Sequence, residues 1–452
     1  MLLALCLLPA AAGLVSFLLR SARALRWALL FIATVHIALV ALVWMTPPAP
    51  ECGGWLILDH AGKTILTITS IIFFACSFYC FDYLRREKAL HEDASQSRFV
   101  GCILLFFAAM NLVCLVQNLG LLWVAIEATT LASAPLIYFH RTRRSLEATW
   151  KYLMICSVGI ALALIGNFAF ILASAHQLPL VWLKAGFIFL LVGYGTKMGL
   201  APIHSWLPDA HSEAPSPISA LLSGALLNCA FLGIWRGYQV LRFAGLSEFG
   251  GDLLMVLGFL SLAVAAVFLL RSTDFKRMLA YSSVENMGLL AIGIGAGGAG
   301  TQAAFLHAAN HSLTKSALFL LAGNILSRFH TKSTESITGL SQEMPLTGAM
   351  WFAGILAILG MPPFGIFVSK FAILKSAFDR GGAIFGLTVL VFLAIVFIGM
   401  VTVAMRMVQG PASLPSNLRK PEAVLSVAPA FLLLVGTLVL CFYVPPFLFE
   451  NP

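Results

Sequence analysis

The sequence predicts an all-α polytopic membrane protein of about 14 transmembrane helices, and three observations predict it. The 452 residues are 60% hydrophobic and only 10% charged, with a mean hydropathy of +0.94, whereas a soluble globule carries roughly a quarter charged residues. Apolar runs divided by polar breaks fill the chain from end to end, which excludes a separate soluble catalytic domain. The basic residues cluster after every second run, the trace of a chain that crosses a bilayer repeatedly. The cysteines (Cys6, Cys52, Cys76, Cys80, Cys102, Cys114, Cys156, Cys229 and Cys441) sit almost all inside apolar runs and read as small core residues, with no redox centre or other cofactor implied.

A span takes about 20 apolar residues. The runs place helices near 1–19, 27–46, 62–82, 99–116, 119–137, 148–174, 183–203, 215–241, 250–270, 277–296, 301–327, 346–378, 383–408 and 423–446. The first reads as a span because its apolar stretch from Leu2 to Leu19 is longer than a signal-peptide core and no basic residue precedes it. Arg20, Arg23 and Arg26 follow span one, Arg85, Arg86, Lys88 and Arg98 span three, and Arg141, Arg143 and Arg144 span five. Arg271, Lys276 and Arg277 follow span nine, Arg328 and Lys332 span eleven, and Arg406, Arg419 and Lys420 span thirteen. The other side holds only Lys63, Lys184, Arg236, Arg242 and Arg380. Because Lys and Arg gather in cytoplasmic loops, both termini are expected outside, with the chain in the cell inner membrane. The net charge of +9 is therefore a topology signal, and no nucleic-acid partner is implied.

Two spans are interrupted. Residues 197–217 read KMGLAPIHSWLPDAHSEAPSP and residues 360–370 read GMPPFGIFVSK. Proline removes a backbone donor and clashes with the preceding turn, and such breaks at membrane depth survive only where they line protein or water. Pro-broken helices at matching places in two halves mark a transporter built from inverted repeats, although proline is also commoner in membrane helices generally. The expected organisation is helices 1–3 in residues 1–98, a first repeat of helices 4–8 in 99–242, a second of helices 9–13 in 249–408, and helix 14 in 423–452.

Five lysines lie within or at the ends of spans: Lys151, Lys197, Lys315, Lys370 and Lys375. Glu127, in LLWVAIEATTLASAPL, is far from any polar end. An ionised group so placed costs about 2.5–3.5 kcal/mol on insertion scales and points to function. Lys197, just before the first break, is its natural partner, either as a functional pair or merely as glue between helices five and seven. His307, His311 and Lys315 recur every four residues and share one helix face; the stripe suits proton hopping. An i, i+4 histidine pair is also compatible with zinc, but no metalloprotease glutamate and no further Cys or carboxylate accompanies it, and no metal is assigned. Lys370 follows the second break, and Lys375 is expected to snorkel. Glu285 either joins an internal polar axis or stays wetted near the cytoplasmic face. Asp209 and Glu213, beside His204 and His211, either feed protons inward or cap a short segment. Lys151 pairs with Glu147 at i, i+4 spacing, with a weaker claim on the axis. No GxxxxGK[ST] loop and no strand-borne GxGxxG loop is present, so energy must come from an ion gradient or a partner.

The runs KMGLAPIHSWLPDAHSEAPSPISALLSGALLNCAFLGIWR, DFKRMLAYSSVENMG, HAANHSLTKSALFLLAGN and GMPPFGIFVSKF resemble the antiporter-like membrane subunits of respiratory complex I and of multisubunit sodium/proton antiporters. Their wording is most similar to the branch found in energy-converting membrane-bound [NiFe]-hydrogenases, including formate hydrogenlyase-type complexes. The resemblance implies fourteen helices, inverted repeats and a hydrated axis at mid-membrane. It implies a proton path through Glu127, Lys197, His307, His311, Lys315 and Lys370, with Glu285, Asp209, Glu213 and Lys151 as further candidates. One position departs: the helix-eight lysine of the complex I members is Asn228 here, so the central link must use Asn228 with water, or histidines. The implied function is a proton-translocating subunit of a respiratory redox complex with no active site of its own, moving H+ or Na+ beside other membrane and peripheral subunits. The rival functions are a cation/proton antiporter or an inorganic-carbon-uptake subunit outside a redox complex, and an anchor whose axis has decayed.

Overall fold

Hydrocarbon offers no hydrogen bond to a free peptide group, so a chain this apolar must satisfy its backbone inside helices. The computed structural model describes residues 1–87, 93–176, 179–411 and 422–446, and among these residues regular structure is helical without a β-strand. In chain order the helices are α1 Leu2–Ser16, α2 Ala22–Met45, α3 His60–Glu87, α4 Asp93–Leu115, α5 Leu119–Ile137, α6 Arg143–His176, α7 Leu180–Met198 and α8 Trp206–Glu213. They continue with α9 Ser216–Phe243, α10 Ser247–Leu269, α11 Phe275–Ala296, α12 Ala299–Phe329, a short turn at Leu340–Glu343, α13 Pro345–Leu359, α14 Gly365–Val408 and α15 Val424–Phe442. Ten of these are long and apolar enough to cross a bilayer. The shorter apolar α1 and α13, and the more polar α11 and α12, complete the set.

Helix α14 counts twice. Its 44 residues would reach about 66 Å at 1.5 Å per residue, twice the hydrocarbon thickness, and Gly382 (φ 65°, ψ −161°) reverses it midway. Residues 365–381 therefore complete span twelve behind the second break, and 383–408 form span thirteen. Among the described residues, then, ten helices are long and apolar enough to cross a bilayer, one of them broken at Gly382, and shorter or more polar helices stand at the remaining places the apolar runs indicate. Lys88, Arg419 and Lys420, used for the topology argument, lie outside the described residues.

Both breaks end in the same way. At the first, Gly199 sits at φ 83° while its N–H bonds Thr196 O and that of Leu200 bonds Gly195 O. At the second, Gly360 sits at φ 85° with matching bonds from Gly360 to Ala357 O and from Met361 to Leu356 O. This is the Schellman ending, which needs a left-handed residue and hence glycine. The backbone groups at the first break find partners: Trp206 Nε1 donates to Thr196 O at 2.8 Å, and the Ala201 N–H donates to Ser261 Oγ at 2.9 Å. Broken backbone at membrane depth is thus resolved inside protein.

Small residues set the closest helix contacts, as expected where van der Waals packing replaces the hydrophobic effect. Gly159 and Ala163 of α6 face Gly193 of α7, and Gly251 and Gly258 of α10 face Gly295 and Gly288 of α11. A Cβ on Gly193 would lie 2.5 Å from both Ala163 N and Gly159 O, which are backbone atoms that yield little. Gly193→Ala is therefore expected to destabilise the chain by about 1–3 kcal/mol. A thermal midpoint in detergent equal to that of the parent would contradict this packing.

Candidate functional site

The buried charges divide into two neighbourhoods, one beside each break. In the first, Lys197 at the end of α7 is fully buried and donates to Thr130 Oγ1 of α5 at 2.8 Å and to Tyr152 OH of α6 at 2.7 Å. Thr130 in turn donates to Glu127 Oε2 at 3.2 Å, and Ser157 donates to Oε1 at 3.1 Å. Tyr152 OH also meets Ser133 Oγ at 2.7 Å. The direct Glu127–Lys197 ion pair expected from the sequence is not formed; the Thr130 hydroxyl stands between, accepting from the lysine and donating to the glutamate. Glu127 is only half-buried, on the same helical face as exposed Val124 and Leu131. Thr130, one turn on, points into the bundle and spans the gap.

The second neighbourhood is denser. Lys370 of α14 donates to Glu285 Oε1 of α11 at 2.6 Å, with both groups buried. Glu285 therefore belongs to the interior, and the reading that kept it wetted at the cytoplasmic face is corrected. Its other oxygen accepts from Asn286 Nδ2 at 3.0 Å. Asn286 Oδ1 lies 3.0 Å from His307 Nε2, and His307 Nδ1 lies 2.9 Å from Ser369 Oγ, the neighbour of Lys370. This links five side chains in series over α11, α12 and α14, its two ends neighbours in sequence. Lys315, fully buried, donates to Leu279 O and Ser282 Oγ, and the Ser282 carbonyl accepts from Asn286 at 2.5 Å, so Lys315 is tied into the same network. The stem of Lys370 lies against Gly360 of the break, where a Cβ would come within 3.0 Å of Cδ.

Between the neighbourhoods runs α9, whose residues 222–226 form a π-turn, a device often found at functional sites. Gly224 within it lets α9 and α12 approach closely, since a Cβ there would strike Ser316 and the Ser312 carbonyl of α12. One turn on, buried Asn228 donates to Ser312 Oγ at 2.6 Å and to Gly224 O at 3.1 Å, and Ser223 meets Ser283 at 2.9 Å. Ser312 follows His311, whose two ring nitrogens have no hydrogen-bond partner among the described residues and whose ring centroid lies 6.4 Å from that of His307. Among the described residues no three His, Cys, Asp or Glu side chains converge as ligands of one ion.

Asp209 and Glu213 of α8 do not cap it; that reading is corrected. Asp209 pairs with Arg277 and, at 3.1 Å, with Lys151, which also holds Glu147 at 2.7 Å; Glu213 pairs with Lys332 at 2.9 Å. These groups are partly exposed and line two clefts, so Lys151 belongs to this rim and not to the buried networks. Lys375 is 69% exposed and pairs with Asp379, as snorkelling implies. Sequence reasoning missed Thr130, Tyr152, Ser282, Asn286 and Ser369. The available signal was modest: Thr130 and Ser282 stand three residues from Glu127 and Glu285, a spacing at which helix side chains meet, Asn286 and Ser369 merely adjoin Glu285 and Lys370, and Tyr152 carries no such mark.

A helical bundle with two broken spans and charges held at membrane depth defines a polytopic, antiporter-like membrane subunit. The chain belongs to the NADH:quinone oxidoreductase/Mrp antiporter transmembrane family, whose profile matches residues 116–397. It is 39% identical over 353 residues to the hydrogenase-4 component F homolog of Methylacidiphilum infernorum, covering 73% of this chain and 74% of that one. It is 32% identical over 370 residues to hydrogenase-4 component B of Escherichia coli, covering 76% of this chain but 54% of that protein. Its fold matches a chain of the membrane-bound sulfane sulfur reductase, an archaeal respiratory membrane complex, with a TM-score of 0.87 at 22% identity, covering 99% of this chain and 95% of that one.

Proposed function

We propose that the chain is the proton-translocating membrane subunit of a larger redox complex, coupling electron transfer in partner subunits to ion movement through its buried Glu, Lys and His residues. The carrying observation is that Lys197 and Lys370, each beside a helix break, are held away from lipid by hydrogen-bonded networks. Charges kept at such depth are retained against a penalty of about 2.5–3.5 kcal/mol each, which favours a transport role over packing. On this reading protons reach Lys197 from the rim at Asp209 and Glu213. They pass Asn228, Ser312 and His311 to Lys315, and leave through His307, Glu285 and Lys370. Asn228 replaces a titratable link with an amide that can only order a hydrogen-bonded chain.

The repeats at 99–242 and 249–408, with 1–98 and 423–452 as flanking helices, supply the two halves that would move against each other. The basic clusters favour an inner-membrane chain with both ends outside. The hydrogenase-4 relatives favour redox partners over a free cation/proton antiporter or an inorganic-carbon-uptake subunit. Lys197→Ala in the assembled complex is expected to abolish proton translocation in proteoliposomes while leaving the complex intact. Undiminished translocation would sink the path.

A further inference from the structure

We propose that His211 of α8 is the relay that passes protons from the clefts of the basic face to Lys315. The inference deepens the proton-path reading above and rests on it. Helix α8 lies between two clefts, of about 540 Å³ and 730 Å³, and both are lined by Ser212 and Glu213, the residues directly after His211. His211 itself turns inward and is fully buried, with its ring stacked on Phe319 of α12 at 4.9 Å and 18°. The Lys315 ammonium, one helical turn earlier on α12, sits 6.0 Å from the centroid of that same Phe319 ring. On the other side is Lys276, buried, lining the larger cleft and donating to Ala214 O at 2.6 Å. Both lysines are within electrostatic reach of the imidazole.

Neither nitrogen of this ring has a hydrogen-bond partner among the described residues. Fully buried polar atoms are nearly always paired, and ordered water is their usual partner where side chains are not. A histidine that serves the core looks different: His36, equally buried, is bonded through Nδ1 to Ser70 and through Nε2 to Asn111. His211 has instead a proton source on one side, an amine on the other, and two nitrogens uncommitted to protein. Once Lys315 has given its own proton to the Glu285 and Lys370 network and stands as the neutral amine, one nitrogen of His211 binds a proton from the cleft as the other releases its own towards Lys315, and rotation about Cβ–Cγ restores the first tautomer. The step conserves protons and needs no other reactant.

The test uses the whole complex in proteoliposomes, reading proton uptake with a pH-sensitive dye against electron transfer. His211→Phe keeps the stack on Phe319 but has no exchangeable proton, and uptake is expected to fall at least about tenfold, as for loss of a proton-transfer group. His211→Ala should lose as much and recover several-fold when imidazole is added, with a saturating dose dependence. Full uptake in His211→Phe overturns the relay, and so does a loss in His211→Ala that imidazole leaves untouched, since that pattern is structural. Lys197→Ala separates the two claims. If it is inactive while His211→Phe pumps fully, only the relay falls; if Lys197→Ala also pumps fully, the proton path falls with it.

Discussion

Lys370→Met, with Glu285 left in place, is expected to destabilise the chain by about 3–5 kcal/mol, because a buried carboxylate loses the cation that compensates it. Replacing both residues, K370M with E285Q, is expected to recover most of that loss. The pair is 2.6 Å apart, with the lysine side chain 7% exposed and the glutamate 0%. At that depth desolvation costs nearly as much as the attraction returns, so removing both charges is far milder than stranding one. Unfolding of the two variants in detergent measures the coupling directly. A double variant no more stable than K370M would mean that Glu285 is not stranded by loss of Lys370. Proton translocation should stay abolished in the double variant despite its restored stability. Stability and transport would then part at one pair of residues, an outcome that a purely structural ion pair cannot produce.

The charges of this pair were legible in the sequence, but the pairing was not. A lysine or glutamate inside an apolar run stands out by contrast alone, so Glu127, Lys197, Lys315 and Lys370 could be picked out from hydropathy. That Glu285 meets Lys370, 85 residues away, depends on how α11 and α14 pack, and no local pattern encodes it. The helix count was legible for a similar reason: a bilayer imposes a minimum run length whatever the tertiary structure. The half-exposure of Glu127 was hidden because α5 is almost evenly apolar around its circumference. An evenly apolar helix carries no mark of which face turns inward. Thr130 and Tyr152 were missed because neither is costly enough in hydrocarbon to attract notice, yet Thr130 carries the contact between the charges and Tyr152 helps to hold Lys197.

Arg236 illustrates the reverse error, since counting it among the basic residues of the outer side hides a buried structural role. It is 5% exposed, on α9. Its guanidinium donates to Val113 O at 2.8 Å, Cys114 O at 2.9 Å, Val116 O, and Asp59 Oδ1 at 2.8 Å. The last carbonyls of a helix have no partner within it and carry its negative dipole end, so a buried cation at the end of α4 satisfies both needs while tying α9 to α3 and α4. Arg236→Met removes those donors and leaves the carbonyls of Val113, Cys114 and Val116 without them, with an expected loss of about 3–5 kcal/mol. Arg236→Lys should recover little, because an ammonium donates from one point and the planar fork reaches separate acceptors. Both variants should translocate protons normally per assembled complex, as none of these contacts touches Lys197 or Lys370. An Arg236→Met protein within about 0.5 kcal/mol of the parent, the range of an ordinary surface change, would show that this buried fork does not hold α9 to the ends of α3 and α4.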